Sequence, residues 1–254
     1  MKIRLPAPEG KSETYHLAGE PIAVRKPKAP FNRVAFAAAH VVADPLSSVC
    51  ALDWDRTLAF RHYLLDQGFG IAEAMDTSQR GMGLDWPLAH ELIARSLKSA
   101  GPAASRIYSG CGTDHLLPGD ARNLDDVVKA YLEQLQAVQK LGGRVILMAS
   151  RALVRVAKSP DDYVKVYSRV LDGVEHPVIL HWLGEMFDPA LAGYWGSADF
   201  PAAMKTCLAV ISGNAAKVDG IKISLLDAEK EIAFRRQLAA GVKMYTSMIS
   251  IIPN

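Results

Sequence analysis

The fold this sequence predicts is a parallel α/β barrel, a (β/α)8 TIM barrel that is incomplete at its C-terminal end, and three observations predict it. From about residue 33 onward, short apolar runs bounded by turn residues alternate with amphipathic stretches, the rhythm of repeated βα units. The amphipathic stretches carry helix caps. The first apolar run leads into His40-Val41-Val42-Ala43-Asp44-Pro45 rather than a Gly-rich phosphate turn, which argues against an open doubly wound sheet.

Taken in order, residues 1–32 are rich in Pro, Lys and Gly and read as an N-terminal arm, with the barrel domain over 33–254. Strands are expected near Arg33–His40, Gly70–Asp76, Ser105–Ser109, Arg144–Ala149, Val178–Leu183, Gly220–Leu225 and Val242–Tyr245. Asn123 caps a helix to Lys140 whose stripe is Val127, Val128, Tyr131, Leu135 and Val138, and Gly142-Gly143 ends it. Ser159 caps Pro160–Leu171 with Pro at the first helical position, and Asp227–Ala240 follows the sixth strand. A closed barrel needs eight strands, and only seven can be read.

Composition narrows function mainly by exclusion. The 254 residues are half hydrophobic, enough for one barrel-sized core. Lys plus Arg number 29 against 27 Asp plus Glu, a net charge of +2, which gathers neither nucleic acid nor an anionic membrane. Three cysteines, Cys50, Cys111 and Cys207, suit neither a disulfide scaffold nor a four-thiolate zinc site. The polar N-terminus lacks the apolar core of a signal peptide and no apolar run reaches membrane-helix length, so a cytoplasmic location is expected.

Chemistry in such barrels sits where strands end and βα loops converge. Those positions hold His40, Asp44, Glu73, Asp76, Thr77, Ser78, Asp114, His115, Ser150, Arg151, His181, Glu185, Lys222 and Ser224. In Val218-Asp219-Gly220-Ile221-Lys222-Ile223-Ser224, alternation puts the isoleucines against the helices and Lys222 inside the barrel. Desolvation lowers a lysine pKa, and at an unperturbed value only roughly one amine in 2,500 is neutral at pH 7. A neutral Lys222 amine can attack a carbonyl and form a Schiff base. The competing reading pairs Lys222 with Glu73, Asp76 or Asp114. His181, at matching depth on the preceding strand, suits a proton relay titrating near 6–7, or a hydrogen-bonded core histidine. Thr77 and Ser78 suit a carboxylate grip or an ordinary turn, and Arg80 and Arg151 suit anion binding or solvated loop charge.

The phrases AEAMDTSQRGMGLDW, VDGIKISLLD and AGVKMYT resemble the dihydrodipicolinate synthase / N-acetylneuraminate lyase family of class I aldolase barrels, and more narrowly an uncharacterised dihydrodipicolinate synthase-like branch of it. The resemblance covers roughly residues 33–247. It implies that Lys222, in Gly220-Ile221-Lys222, is the Schiff-base lysine, that Thr77 and Ser78 grip the substrate, and that His181 stands where the family has its proton-relay tyrosine. Asp76-Thr77-Ser78-Gln79-Arg80 replaces the family's Gly-Thr-Thr-Gly-Glu, and the arginine expected after the His181 strand is absent, with Glu185 nearby. The implied protein is a lyase or aldolase acting on a small keto acid or oxidised sugar derivative. Catalysis falls to Lys222 and His181, substrate binding to Thr77, Ser78, Arg80 and Ser224. No metal and no cofactor are called for, since the imine is itself the electron sink. The partner is a small-molecule carbonyl compound, with no nucleic acid and no membrane; a homo-oligomer is compatible with the sequence.

The alternatives are a metal-dependent barrel isomerase or hydrolase using some of Glu73, Asp76, Asp114, His115, His181 and Glu185, or an inactive truncated remnant. Truncation is expected from the tail. Relatives in the narrow branch are expected to continue Gly-Asp-Asp-Phe-Asn-Tyr-Pro-Glu, and GAT GAT TTC AAT TAT CCC GAA T minus its first nucleotide encodes Met-Ile-Ser-Ile-Ile-Pro-Asn, the sequence Met248–Asn254. Ser247 is not explained by that shift.

Overall fold

The computed structural model describes residues 2–20, 33–44, 46, 52–116 and 119–246. The first part is a hairpin: β1 (Lys2–Pro6) pairs antiparallel with β2 (Ser12–His16) in a two-stranded sheet of its own. The remaining strands, β3 (Phe36–Ala38), β4 (Gly70–Glu73), β5 (Ile107–Cys111), β6 (Arg144–Leu147), β7 (Val178–Leu183), β8 (Val218–Ser224) and β9 (Lys243–Thr246), form one parallel sheet in sequence order. Seven parallel strands in a curled, unclosed sheet are an incomplete barrel, as the sequence predicts. The expectation about the tail from Ser247 onward lies outside the described residues.

Helices α1 (Trp54–Asp66), α2 (Trp86–Ala100), α3 (Leu124–Lys140), α4 (Arg151–Val156), α5 (Pro160–Asp172), α6 (Phe200–Gly213) and α7 (Ala228–Gln237) join the strands. Their starts follow local chemistry. Asn123 and Asp126 form a reciprocal capping box at α3, Ser159 and Asp162 another at α5, and the Asp227 carboxylate accepts from the Lys230 amide at α7. Such a box satisfies two helix-end donors that would otherwise need water.

Alternation sorts the strands into two layers. Ile71, Ile107, Leu147, Leu180, Ile221 and Ile223 face the helices in the main core, where Trp182 stacks on Phe200 of α6 with centroids 5.7 Å apart. The barrel interior holds Ala72, Met75, Ile146, Met148 and Ile179, ringed by Phe36, Tyr108 and Tyr245. Phe36 meets Tyr108 edge-on at 5.0 Å and Tyr245 at 5.5 Å, so the curl brings rings from the two edge strands β3 and β9 into contact. That aromatic plug floors the barrel beneath the strand ends that carry the polar groups.

Candidate active site

Lys222 is held inward by its own strand. A Cβ on Gly220 would stand 2.6 Å from the Lys243 carbonyl oxygen and 2.8 Å from the Tyr245 ring, so only glycine lets β8 lie this close to β9 beneath the lysine. Register pairs Lys222 with His181 across β7 and β8. The Lys222 Nζ lies 3.3 Å from His181 Nε2, and the same nitrogen lies 3.3 Å from the Ser224 hydroxyl. His181 and Ser224 are buried and Lys222 is partly buried. Among the described residues no carboxylate forms an ion pair with Lys222. Burial lowers its pKa below the ordinary 10.5, with the Asp76 charge opposing, while burial and then the Lys222 charge hold His181 well below 6.5. The result is an ammonium that gives up its proton more readily than usual, touching an imidazole that stays neutral at physiological pH. Burial and the neighbouring cation thus both work against a titration as high as the 6–7 expected of His181.

Next to this pair a cavity of about 380 Å³ opens at the carboxyl ends of the strands, lined in part by Asp76, Met148, Arg151, Arg155, His181 and Asp188. Two groups that act on Lys222 thus line it: His181 by contact and Asp76 through its charge. Burial raises the Asp76 pKa against the pull of Lys222. Two rim residues are held in a left-handed conformation that non-glycine residues rarely adopt: Ala74 (φ 52°) just past β4, and Leu226 (φ 52°) just past β8.

The profile of a protein family of unknown function, DUF993, matches residues 3–248. The chain belongs to that family. No curated protein sequence matches it. Solved structures share the fold of this DUF993 chain. A protein assigned to the dihydrodipicolinate synthase family from Coccidioides immitis aligns with TM-score 0.62 at 16% identity, over 85% of this chain and 60% of that one. 2-Keto 3-deoxygluconate aldolase from Picrophilus torridus aligns with TM-score 0.58 at 11% identity, over 86% and 68%. Dihydrodipicolinate synthase from Oceanobacillus iheyensis gives 0.54 at 14%, over 86% and 69%. The DUF993 chain thus spans 60% to 69% of the length of these three structures, and at such identities the likeness establishes the fold.

Several expected binders turn out to be committed elsewhere. Arg80 is buried, and all five of its N–H donors are taken: two by the Asp114 carboxylate at 2.7 and 2.9 Å, one by Gln134, one each by the Ala74 and Gly110 carbonyls. It has no donor left for a substrate. Ser78 is also buried and donates its hydroxyl to the Ala39 carbonyl at 2.6 Å, which leaves nothing to hold a carboxylate. The Thr77 side chain lies outside the described part of the structure. Ser224 engages His181 and so serves to orient that ring.

The expected metal ligands do not assemble either. Glu73 is buried in a two-pronged pair with Arg61 at 2.6 and 2.6 Å; Asp114 is held by Arg80; His115 bonds Gln134 and Glu133. Glu185, His40 and Asp44 are exposed. Among the described residues no three His, Cys, Asp or Glu side chains converge. Of the partners proposed for Lys222, only Asp76 remains near enough to act on it. Arg155 and Asp188 were not expected at the site. Asp188 had a signal in Asp188-Pro189, where it caps a short turn through the Ala190 amide. Arg155 lies on a helix four residues past Arg151, and only the α4 geometry brings it to the cavity.

Proposed function

We propose that this protein is a class I aldolase-type lyase that forms a Schiff base between Lys222 and a keto or aldehyde group of a small substrate. The observation that carries this is the Lys222–His181 contact of 3.3 Å, an inward lysine with a lowered pKa against a neutral imidazole and, among the described residues, no carboxylate in ion-pair contact. The neutral amine attacks the carbonyl carbon. Loss of water from the carbinolamine then gives a cationic imine, which draws electrons from the adjacent carbon so that a carbon–carbon or carbon–oxygen bond there can break or form. His181, neutral and pointing Nε2 at the amine, accepts and returns protons, with Ser224 fixing its ring. Thr77, on the turn after β4, is the remaining candidate to orient an anionic or hydroxylated substrate group. The fold shared with dihydrodipicolinate synthase and keto-deoxygluconate aldolase favours the same chemistry class. A cytoplasmic small-molecule enzyme fits the absence, among the described residues, of any helix long and apolar enough to cross a membrane.

The test is borohydride trapping with a panel of keto acids and keto sugars, read by intact mass and peptide mapping. The expected adduct is one substrate mass on the Lys222 peptide, absent from Lys222→Ala. Turnover by the Lys222→Ala protein, or an adduct on another lysine only, would remove the proposal.

A further inference from the structure

Three arginines and three aspartates line the cavity, and two of each form ion pairs. Arg80 pairs with Asp114, and Arg151 pairs with Asp188 at 2.6 Å. Asp76 and Lys222 oppose each other through space. Arg155 remains. It is exposed, lines the cavity, and among the described residues has no ion pair or hydrogen bond. It stands one turn from Arg151 on α4, and like charges at that spacing repel. Among the described residues Arg151 pairs with one carboxylate, Asp188, whose other oxygen accepts from the Ala190 amide. Two guanidinium groups of one helix therefore line the cavity, and Asp188 is the carboxylate paired with either of them among the described residues.

Size points the same way. A three-carbon keto acid has six heavy atoms and at roughly 30 Å³ each, the share of a water molecule, fills about 180 Å³. The cavity is about 380 Å³, and Arg151 and Arg155 of α4 form part of its lining. Resting on the Schiff-base reading of Lys222, we infer that Arg155, assisted by Arg151, forms a distal anion subsite, so that the substrate carries a second anionic group, carboxylate or phosphate, remote from the carbonyl that reacts with Lys222. Guanidinium suits either group, because its planar fork matches two oxygens at once. Arg151 can rotate from Asp188 to the ligand, since it is itself exposed on the cavity rim.

Two arms test this with the full chain. In the covalent arm, α-ketoglutarate and α-ketobutyrate are compared by borohydride trapping. The dianion is expected to half-saturate at about tenfold lower concentration, Arg155→Ala to erase that ratio, and Arg155→Lys to keep part of it. In the non-covalent arm, calorimetric binding of glutarate and of α-glycerophosphate is compared with butyrate and glycerol. Preference for one of the two dianions tells carboxylate from phosphate. Dianion binding that depends on Arg155, without any adduct on Lys222, keeps the subsite and removes the imine. Trapping with no preference for the second anion, a preference that survives Arg155→Ala, or no anion dependence in either arm overturns the subsite.

Discussion

On the β4 side of the barrel mouth, Arg61 donates two hydrogen bonds of 2.6 Å to the Glu73 carboxylate, and it also donates to the His40 and Thr57 carbonyls. Beside them Arg80 has every donor occupied. On the β7–β8 side, buried His181 and partly buried Lys222 share one contact of 3.3 Å between two groups of the same charge tendency. Burying a charge is costly unless it is paired and hydrogen-bonded. The first wall meets that condition and the second does not. Arg61–Glu73 ties β4 to α1 as framework, whereas Lys222 keeps a pKa lowered by burial, as the proposed amine chemistry requires.

Breaking the satisfied wall has the largest expected effect. Arg61→Ala leaves Glu73 charged, buried and unpaired, and should cost about 3–5 kcal/mol, a large share of the roughly 5–15 kcal/mol that holds a domain together. Urea denaturation checks it; a loss under 1 kcal/mol would erase the contrast between the walls.

The opposite wall responds to acid. The folded pKa of His181 is depressed well below its unfolded 6.5, so the unfolded chain binds a proton that the folded one refuses. The stability involved is fully present above pH 6.5 and is lost as pH falls from there toward the folded pKa, by up to about 1.4 kcal/mol per pH unit. His181→Gln should flatten that limb in denaturation series taken from pH 8 downward, whatever it does to stability at pH 8. An unchanged slope would mean that imidazolium is tolerated in the fold.

The smallest effect has the opposite sign. Lys222 has a folded pKa below its unfolded one, so at neutral pH the fold carries the penalty of a half-desolvated ammonium. Lys222→Met should remove imine trapping and raise stability by on the order of 1 kcal/mol, the pattern of a residue kept for reactivity against stability. A variant less stable than the parent would place Lys222 with the framework residues.

The same contrast separates what could be read in the sequence from what could not. The seven strands, the Asn123 and Ser159 caps and the inward side of Lys222 follow from periods of 2 and 3.6 and from residues a few positions apart, and the structure has them. The glycine under Lys222 is likewise in plain view, although its reason, the Lys243 carbonyl, is not. The partners of Arg80 and Ser78 could not be read, because they are far away in sequence: Ala39 lies 39 residues from Ser78, and Gln134 lies 54 residues from Arg80. A free arginine and a fully engaged one look alike until the chain is folded. How deeply the His181 ring is buried is likewise a property of the assembled barrel.

The measurement that tests the central claim most directly asks whether Lys222 is a more reactive amine than the surface lysines. Trace acetic anhydride would be applied from pH 6 to 11 and the labelled fraction of each lysine read by peptide mapping, with Lys98 and Lys129, both exposed, as internal references. Lys222 labelling should rise and level off at lower pH than theirs, because burial lowers its pKa. Labelling that rises together with Lys98 and Lys129, or only at higher pH, would contradict it.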